Sequence, residues 1–505
     1  MPPPFDLRHA PWIPLTARDG GRTTVGLREA LVRAQDYADF AIDQPLQYAA
    51  VLRLLVALLH RIYQGPADID ASLAMRDAGA FDAARIDDYL EQWGDRFDLF
   101  HPTHPFGQVP GLLARAGESV DTISRIVPDA PGQKKAVLFD HRAGIHLSPA
   151  EAALSLLAWQ SFALGRAQGQ WRGETSRAAK DAPIARHALT FVRGGTLFQT
   201  LLRNLAFYRH DPADAPAWER EPLTGSGVRR PAGRVDLLTY RSRAVELGCD
   251  THGSVTTVVE YQGEDDDLSS EELARLDPFV AARRRWKQQD GQDPYVRIGV
   301  EPDRAFWRDL QTLVAVSSEY ESTLRRPQIL DHHADIAVAG EGEELLPLLI
   351  IGQGGDQAKI ECWRQESLTL ATIALLEGPT GADRRRVIAQ AIAWAEGGER
   401  ALLRSGAFGL IARDRRRDSE LARHFVNAPG YWGRIDRAIR QLMPVLAAPA
   451  MDAGAILHDW NRVVHRTAWE TFREATSSFF DRPMDIAAAE DRFARALGIA
   501  LQHKE

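Results

Sequence analysis

The chain has 505 residues, 45% of them hydrophobic and 26% charged, with 61 basic against 69 acidic side chains and a formal net charge of −8. This is globular composition; at roughly 100–200 residues per domain it predicts about two to four domains, and it excludes a uniformly basic coat while allowing a local basic groove. Only Cys249 and Cys362 are present, which excludes a disulfide framework and a four-thiolate zinc site and suits a reducing, cytoplasmic setting.

The N-terminal MPPPFDLRHAPW lacks a basic run followed by an apolar stretch, so no secretory signal is expected. Phe5–Leu15, FDLRHAPWIPL, reads as a rigid peptide with Trp12 between Pro11 and Pro14. Leu46–Tyr63 is the most apolar helix candidate, interrupted by Arg53 and His60; it is predicted to be a buried core helix, and no membrane span is expected. Asp82–Trp93 places Ile86, Tyr89, Leu90 and Trp93 on one helical face. Phe100–Leu112, FHPTHPFGQVPGL, holds His101-Pro102 and His104-Pro105. Proline restricts itself and its predecessor to extended shapes. The segment is therefore predicted to be a rigid loop with Phe106 as anchor and Gln108 as polar tip. Two such peptides suggest a binding scaffold more than a catalyst. Pro149–Leu164 is a further helix candidate. Strands are predicted over Arg234–Tyr240, Ser254–Tyr261, Tyr295–Val300 and Leu345–Ile351, and the acidic run Glu264–Asp267 as a solvated loop.

Beyond about residue 365 the pattern is helical only. Ile388, Ala391 and Ile392 share a face, as do Ile435, Ala438, Ile439 and Leu442. Trp460, Val464, Ala468 and Phe472 recur every four residues, and Phe493, Ala496, Leu497 and Leu501 close the chain. With Gly397-Gly398, Pro429-Gly430, Pro444 and Pro483 as punctuation, these read as a four-helix bundle. The predicted fold class is α+β: a mixed α/β domain over residues 1–365 and an all-α bundle over 366–505.

Several groups could carry chemistry. Asp331-His332-His333-Ala334-Asp335 offers metal ligands, but it precedes an expected strand, Ile336–Ala339, and reads as an exposed turn. His458, Asn461 and His465 loosely resemble a nuclease motif, yet lie on one amphipathic helix and read as surface residues. Gly352–Lys359, GQGGDQAK, follows an apolar strand; it could be a plain turn or a loop whose glycines admit a phosphate or base. Gln357 there is both donor and acceptor, suited to base edges. Basic segments occur at Lys134-Lys135, at Arg283–Lys287 around Trp286, at Arg325-Arg326 and at Arg413–Arg417, with Phe139 after the first. Each is either a solvated face or part of a nucleic-acid groove. No nucleophile elbow, CxxC or HExxH is present. The residues leave a metal-dependent nuclease or phosphohydrolase using the DHHAD cluster as an alternative to a non-catalytic binding protein.

FDLRHAPWIPL and FHPTHPFGQ, with LFDHRAGIHLSPAEAALSLLAWQSFALG, DAPIARHALTFVRGGTLFQTLLRNL, LLIIGQGGDQAKIECWRQESL and ARHF, resemble the CasA-type large subunit of type I-E CRISPR Cascade. The resemblance spans essentially the whole chain. It implies a non-catalytic protein whose partners are CRISPR RNA, double-stranded target DNA, other Cascade subunits and the helicase–nuclease; some members of the family carry a cysteine zinc cluster near Cys249, but Cys249 stands alone here, so no zinc and no cofactor are expected. It implies that the chain reads the protospacer-adjacent motif (PAM), opens the duplex and docks that nuclease. It assigns Gln357 as a wedge, Ala358 and the preceding Gly354 and Gly355 to the minor-groove approach, and Gly169 and Gly173 to a PAM-backbone loop. Phe139, Asp140, His141 and Arg142 fall at the RNA-handle contact. A lysine expected before Asp277-Pro278 is missing, which leaves Arg275, Arg283 and Lys287 as candidate substitutes.

Overall fold

A computed structural model describes residues 3–115, 120–128, 144–167, 171, 178–285, 287, 292–301, 304–316, 324–356, 359–404, 423–427, 430–479 and 481–502. The chain forms two compact units. The first comprises residues 1–302, 321–336 and 347–367, and the second 303–320, 337–346 and 368–505.

The first unit begins with a small antiparallel sheet in the order Arg22–Val25, Ile13–Ala17, Tyr37–Phe40. Helix α1 (Pro45–Tyr63) follows, its start capped by the Gln44 carbonyl, which accepts from Leu46 N and Gln47 N. It is long and apolar enough to cross a membrane, but 78% of it is buried within the fold. Each of its two polar interruptions finds an internal partner, though Arg53 Nε and His60 Nε2 have none. Arg53 pairs with Asp277 at 2.5 Å, and His60 Nδ1 meets Gly65 O at 2.9 Å. Burial was thus readable from the apolar run, whereas the partners come from distant chain.

The N-terminal peptide is clasped to Phe97–Leu99, the residues that lead into the second proline-rich peptide. Leu7 N donates to Phe97 O, Leu99 N to Phe5 O, and Phe5 N to the Asp98 carboxylate. Trp12 is fully buried, its indole N–H donating to Leu7 O at 2.8 Å. Gln108 corrects the expectation of a polar tip: it is 5% exposed. Its amide donates to Leu99 O, and its carbonyl accepts from Leu247 N at 2.9 Å. A side chain with both donor and acceptor can staple two strands of backbone inside the core, and that satisfies it better than water at a loop tip.

Helices α2 (Ala83–Gln92) and α3 (Pro149–Phe162) match expectation; α3 opens with a capping box between Ser148 and Glu151. Strand β1 (Leu189–Val192) is buried throughout. The predicted strand over Arg234–Tyr240 is instead helix α4 (Arg234–Leu238). The reason is tertiary: the Asp214 carboxylate caps its first turn, accepting from Val235 N at 3.0 Å and Asp236 N at 2.8 Å. Strands β2 (Arg243–Cys249) and β3 (Val255–Gln262) pair antiparallel. The acidic run after them is solvated only at its end, where Asp267 is exposed. Glu264 is 6% exposed in a short parallel strand pair and is bound by Arg220 and Arg229.

Three short strands, β4 (Ala282–Arg284), β5 (Tyr295–Arg297) and β6 (Leu324–Arg325), form an antiparallel sheet in the order β5-β4-β6. Helix α5 (Gln328–Val338) carries the DHHAD segment, which is therefore neither a turn nor followed by a strand at Ile336–Ala339. Strands β7 (Leu345–Asp356) and β8 (Lys359–Ala371) are neighbours, with β1 beside β7.

In the second unit, four helices of 17 to 26 residues occur among the described residues: α6 (Pro379–Arg404), α7 (Tyr431–Ala447), α8 (Ala453–Thr476) and α9 (Pro483–Ala500). The predicted faces are the buried ones, with Ile388, Ile439, Val464, Phe472 and Phe493 all at most 1% exposed. Phe472 and Phe493 stack at 4.7 Å. Gly397-Gly398 does not break α6 but lies inside it. A Cβ on Gly398 would overlap the Tyr431 hydroxyl, which donates to Ala395 O at 2.7 Å, so the glycine admits a neighbouring side chain rather than ending a helix.

Candidate nucleic-acid interface

A phosphate-facing surface needs cations that the protein itself leaves unneutralised. Most arginines here are spent on carboxylates or carbonyls. The sheet β5-β4-β6 differs. Arg283 and Arg284 are exposed on β4 and lie opposite Val296 and Tyr295 of β5. Successive strand residues point to opposite faces, so the two cations flank the sheet. Lys287, just beyond, is also exposed. Among the described residues none of the three has a carboxylate partner. Arg275, the other candidate substitute for the missing lysine, is bound to Glu271 at 2.6 Å.

Arg297 on β5 adds to this charge. Desolvation pushes its guanidinium below the ordinary value, with the Arg186 and Arg285 cations acting in the same direction against Asp181. Arg186 in turn holds Asp181 at 2.5 Å, and its Nη1 donates to Gly355 O at 3.3 Å. Arg186 thus ties the neighbourhood of Arg297 to the last residues of β7, where GQGGDQAK begins, but its own charge is met by Asp181.

The glycines of that segment do not form a phosphate cradle. Gly352, Gly354 and Gly355 lie within strand β7, whose N–H groups alternate in direction instead of converging. A Cβ on Gly354 would stand 2.6 Å from Val300 O and 3.1 Å from Cys362 Sγ, so this buried position is glycine for close packing. Gln353 between them is buried and donates to Phe162 O at 2.6 Å and Ala185 O at 2.8 Å. Gln357 and Ala358 lie outside the described residues. So do Gly169, Gly173, Phe139, Asp140, His141, Arg142, Lys134, Lys135, Trp286 and Arg413–Arg417.

What the structure does describe is how the flanks of two of these segments are held. Arg166-Ala167 pairs antiparallel with Ala178-Ala179, on either side of 168–177. Glu260 of β3 ion-pairs with Arg166, accepts from the Trp159 indole N–H at 2.5 Å, and pairs with Arg125 at 3.4 Å, ahead of 129–143. The Arg166 guanidinium sits over the Trp159 ring at 4.7 Å. Burial, with Arg125 and Arg243 close by, pushes it down to about 9. Sequence reading did not single out these four residues. The available signal was a lone carboxylate in the β-branched run VTTVVEYQ, which must be paired if its face is inward.

The metal alternative fares differently. His332 and His333 are 3% and 8% exposed. His333 Nε2 meets Arg203 O at 3.0 Å, and burial lowers its pKa to about 4. Asp331 is paired with Arg326 at 2.6 Å. Neighbouring helix positions diverge in direction, so the cluster does not converge on one point. Among the described residues no group of three or more His, Cys, Asp or Glu is arranged to hold a metal. His458 is exposed on α8, and His465 Nε2 accepts from Trp469 Nε1 at 3.2 Å.

The family model for the CRISPR-associated protein Cse1 matches residues 6–471. The chain belongs to the Cse1 family. A curated relative described as CRISPR-associated protein CasA/Cse1, from Thermus thermophilus, is 34% identical over 374 residues, covering 72% of this chain and 70% of that one. The crystal structure of Thermobifida fusca Cse1 superposes with a TM-score of 0.83 at 27% identity, over 99% of this chain and 98% of that one. A chain described under the words CRISPR RNA-guided surveillance complex gives 0.77 at 22% identity, over 98% of this chain and 100% of that one, a likeness that bears on fold alone. In this Cse1-family chain, the two peptides that carried the sequence resemblance place Leu7, Trp12, Phe106 and Gln108 in the core while His9, Pro11, Pro102 and Thr103 stay exposed. Among the described residues, the cations of β4 are exposed and have no carboxylate partner.

Proposed function

We propose that the chain is the non-catalytic large subunit of a cytoplasmic, CRISPR RNA-guided surveillance complex. It reads the PAM on double-stranded DNA, wedges the duplex open and docks the helicase–nuclease. Residues 1–365 do the reading, and 366–505 form the four-helix bundle. Membership of the Cse1 family supports the assembly, and one observation supports the DNA role: Arg283, Arg284 and Lys287 are exposed cations without carboxylate partners among the described residues, in an acidic chain.

In RNA-guided recognition, base pairing reads the target while protein reads a short motif and the backbone. Gln357 is the proposed wedge, Ala358 and Gly355 its minor-groove neighbours, and Phe139–Arg142 the handle contact. Unstacking a step costs a few kcal/mol, offset by heteroduplex and backbone contacts. An arginine of β4, on whichever face meets the backbone, replaces the point charge of the missing lysine.

The test is a gel-shift on RNA-loaded complex assembled with and without this chain, on a duplex carrying a PAM library or scrambled flanks. Binding is expected to need the chain and to depend on the flank. Glutamine at Arg283, Arg284 and Lys287 should flatten the salt dependence by about 0.9 log units per lost phosphate contact. Flank-independent binding, or an unchanged slope, would refute the PAM-reading role of this surface.

A further inference from the structure

Strand β3 holds different groups on its two faces. Its alternation puts Val259 and Tyr261 on one side and Glu260 on the other. On the first side Val109, Leu112, Ala244, Val259 and Tyr261 form an apolar cluster, and the half-buried Trp171 packs against it. The Trp171 and Tyr261 rings lie nearly parallel, 17° apart with centroids at 6.2 Å, within the range of offset aromatic pairs. On the second side Glu260 holds Arg166, Trp159 and Arg125.

Trp171 stands midway between Gly169 and Gly173 in the sequence. Two residues of chain reach at most about 7 Å, so whatever holds Trp171 sets where both glycines can go. The entrance and exit of 168–177 are fixed as well. Arg166-Ala167 pairs with Ala178-Ala179, and Lys180 N donates to Gln262 Oε1 at 2.8 Å, at the end of β3. The same strand carries the flanks of 129–143. Thr257 and Val258 pair with Thr122 and Asp121 ahead of it, and Val255 exchanges two backbone hydrogen bonds with Leu147 beyond it. One strand therefore mounts the ends of both segments, and the middle of one of them through a stacked ring.

We propose that Trp171 is a positioning residue for DNA reading: stacked on Tyr261, it places the backbone of 168–177 against the PAM duplex, on the strand that also mounts the RNA-handle segment. This role presupposes that the chain reads the PAM. Contacts to the DNA backbone fix register, and base contacts then specify. A segment anchored beforehand gives up less conformational freedom when it meets DNA, so its contact adds more to affinity.

The test uses the RNA-loaded complex carrying Trp171→Ala, Trp171→Phe or Tyr261→Leu, titrated with duplexes bearing a flank selected from the PAM library or a scrambled one. A stacked aromatic pair is worth about two- to tenfold in an equilibrium constant. Trp171→Ala should weaken binding to the selected flank by about tenfold and leave the scrambled flank within about twofold of the parent. Trp171→Phe, which keeps a ring on Tyr261, should recover most of the loss. Trp171→Ala combined with Tyr261→Leu should cost no more than the larger single change, because both remove the same contact. A parent complex indifferent to the flank would overturn PAM reading and this role together. With a parent that distinguishes the flanks, equal loss on both duplexes, no rescue by phenylalanine or strict additivity of the two changes would each overturn the positioning role alone.

Discussion

The arginines inside the first unit and those on its small sheet are the same residue put to opposite uses. Arg53 is 3% exposed by side chain and faces an Asp277 that is 0% exposed. Arg243 is buried and donates to the carbonyls of Ser242, Ala163, Leu164 and Lys180. A buried guanidinium is costly to desolvate, so the fold supplies most of its donors with a carboxylate or carbonyls, although Nε of Arg53 and of Arg243 goes without. Arg283 and Arg284 remain hydrated, and their charge is available to a ligand. Counting arginines therefore says nothing about nucleic acid; the supply of carboxylates and carbonyls around each one decides.

The largest effect should come from breaking an interior pair. Arg53→Met leaves Asp277 buried without its cation and should cost roughly 3–5 kcal/mol in denaturant unfolding, with much of it recovered by adding Asp277→Asn. A loss under about 1 kcal/mol would mean that water reaches the pair.

Acid should come next. Burial lowers the pKa of His60 and His187 to about 3, with Arg234 and Arg297 respectively the next cause, and that of His333 to about 4. The unfolded chain takes up these protons near pH 6.5 while the folded chain refuses them. Stability is therefore intact above that pH and lost as pH falls toward 4, by about 1.4 kcal/mol per pH unit for each histidine. His333→Gln should reduce the slope between pH 6 and 4.5 by that amount; an identical slope would show that His333 is protonated in the fold.

In the second unit, Gly398→Ala should cost about 1–3 kcal/mol by overpacking against Tyr431. Tyr431→Phe should relieve part of it, and strict additivity of the two changes would count against the contact. Least of all, glutamine at Arg283, Arg284 and Lys287 should leave the unfolding midpoint within about 0.5 kcal/mol of the parent. The loss belongs to DNA binding, which sharpens the contrast with Arg53.

Where periodicity alone sets burial, the sequence was a good guide. The faces built on Ile388, Ile439, Val464 and Phe493 were legible because a 3.6-residue repeat puts them on one side of any helix. Leu46–Tyr63 was legible as a core helix for the same reason. The candidate site was legible in part: Arg283 and Lys287 are exposed, as a nucleic-acid surface requires, but nothing in a run of basic residues tells which ones a carboxylate will claim. Glu260, which ties Trp159, Arg125 and Arg166, was missed because its partners lie about a hundred residues or more away in the chain.

By itself, then, the sequence determined the mixed first part, the helical second part and the family, since these rest on local pattern and on short peptides in a fixed order. Only the tertiary structure decided that Arg234–Leu238 is a helix, because its cap is Asp214. It alone turned Gln108 inward, drew Glu264 out of an acidic run into an arginine cluster, and made the DHHAD histidines buried neighbours on a helix. Each of these depends on a partner far along the chain. A polar side chain takes its role from whichever group the fold brings within hydrogen-bonding distance, and no local pattern encodes that distance.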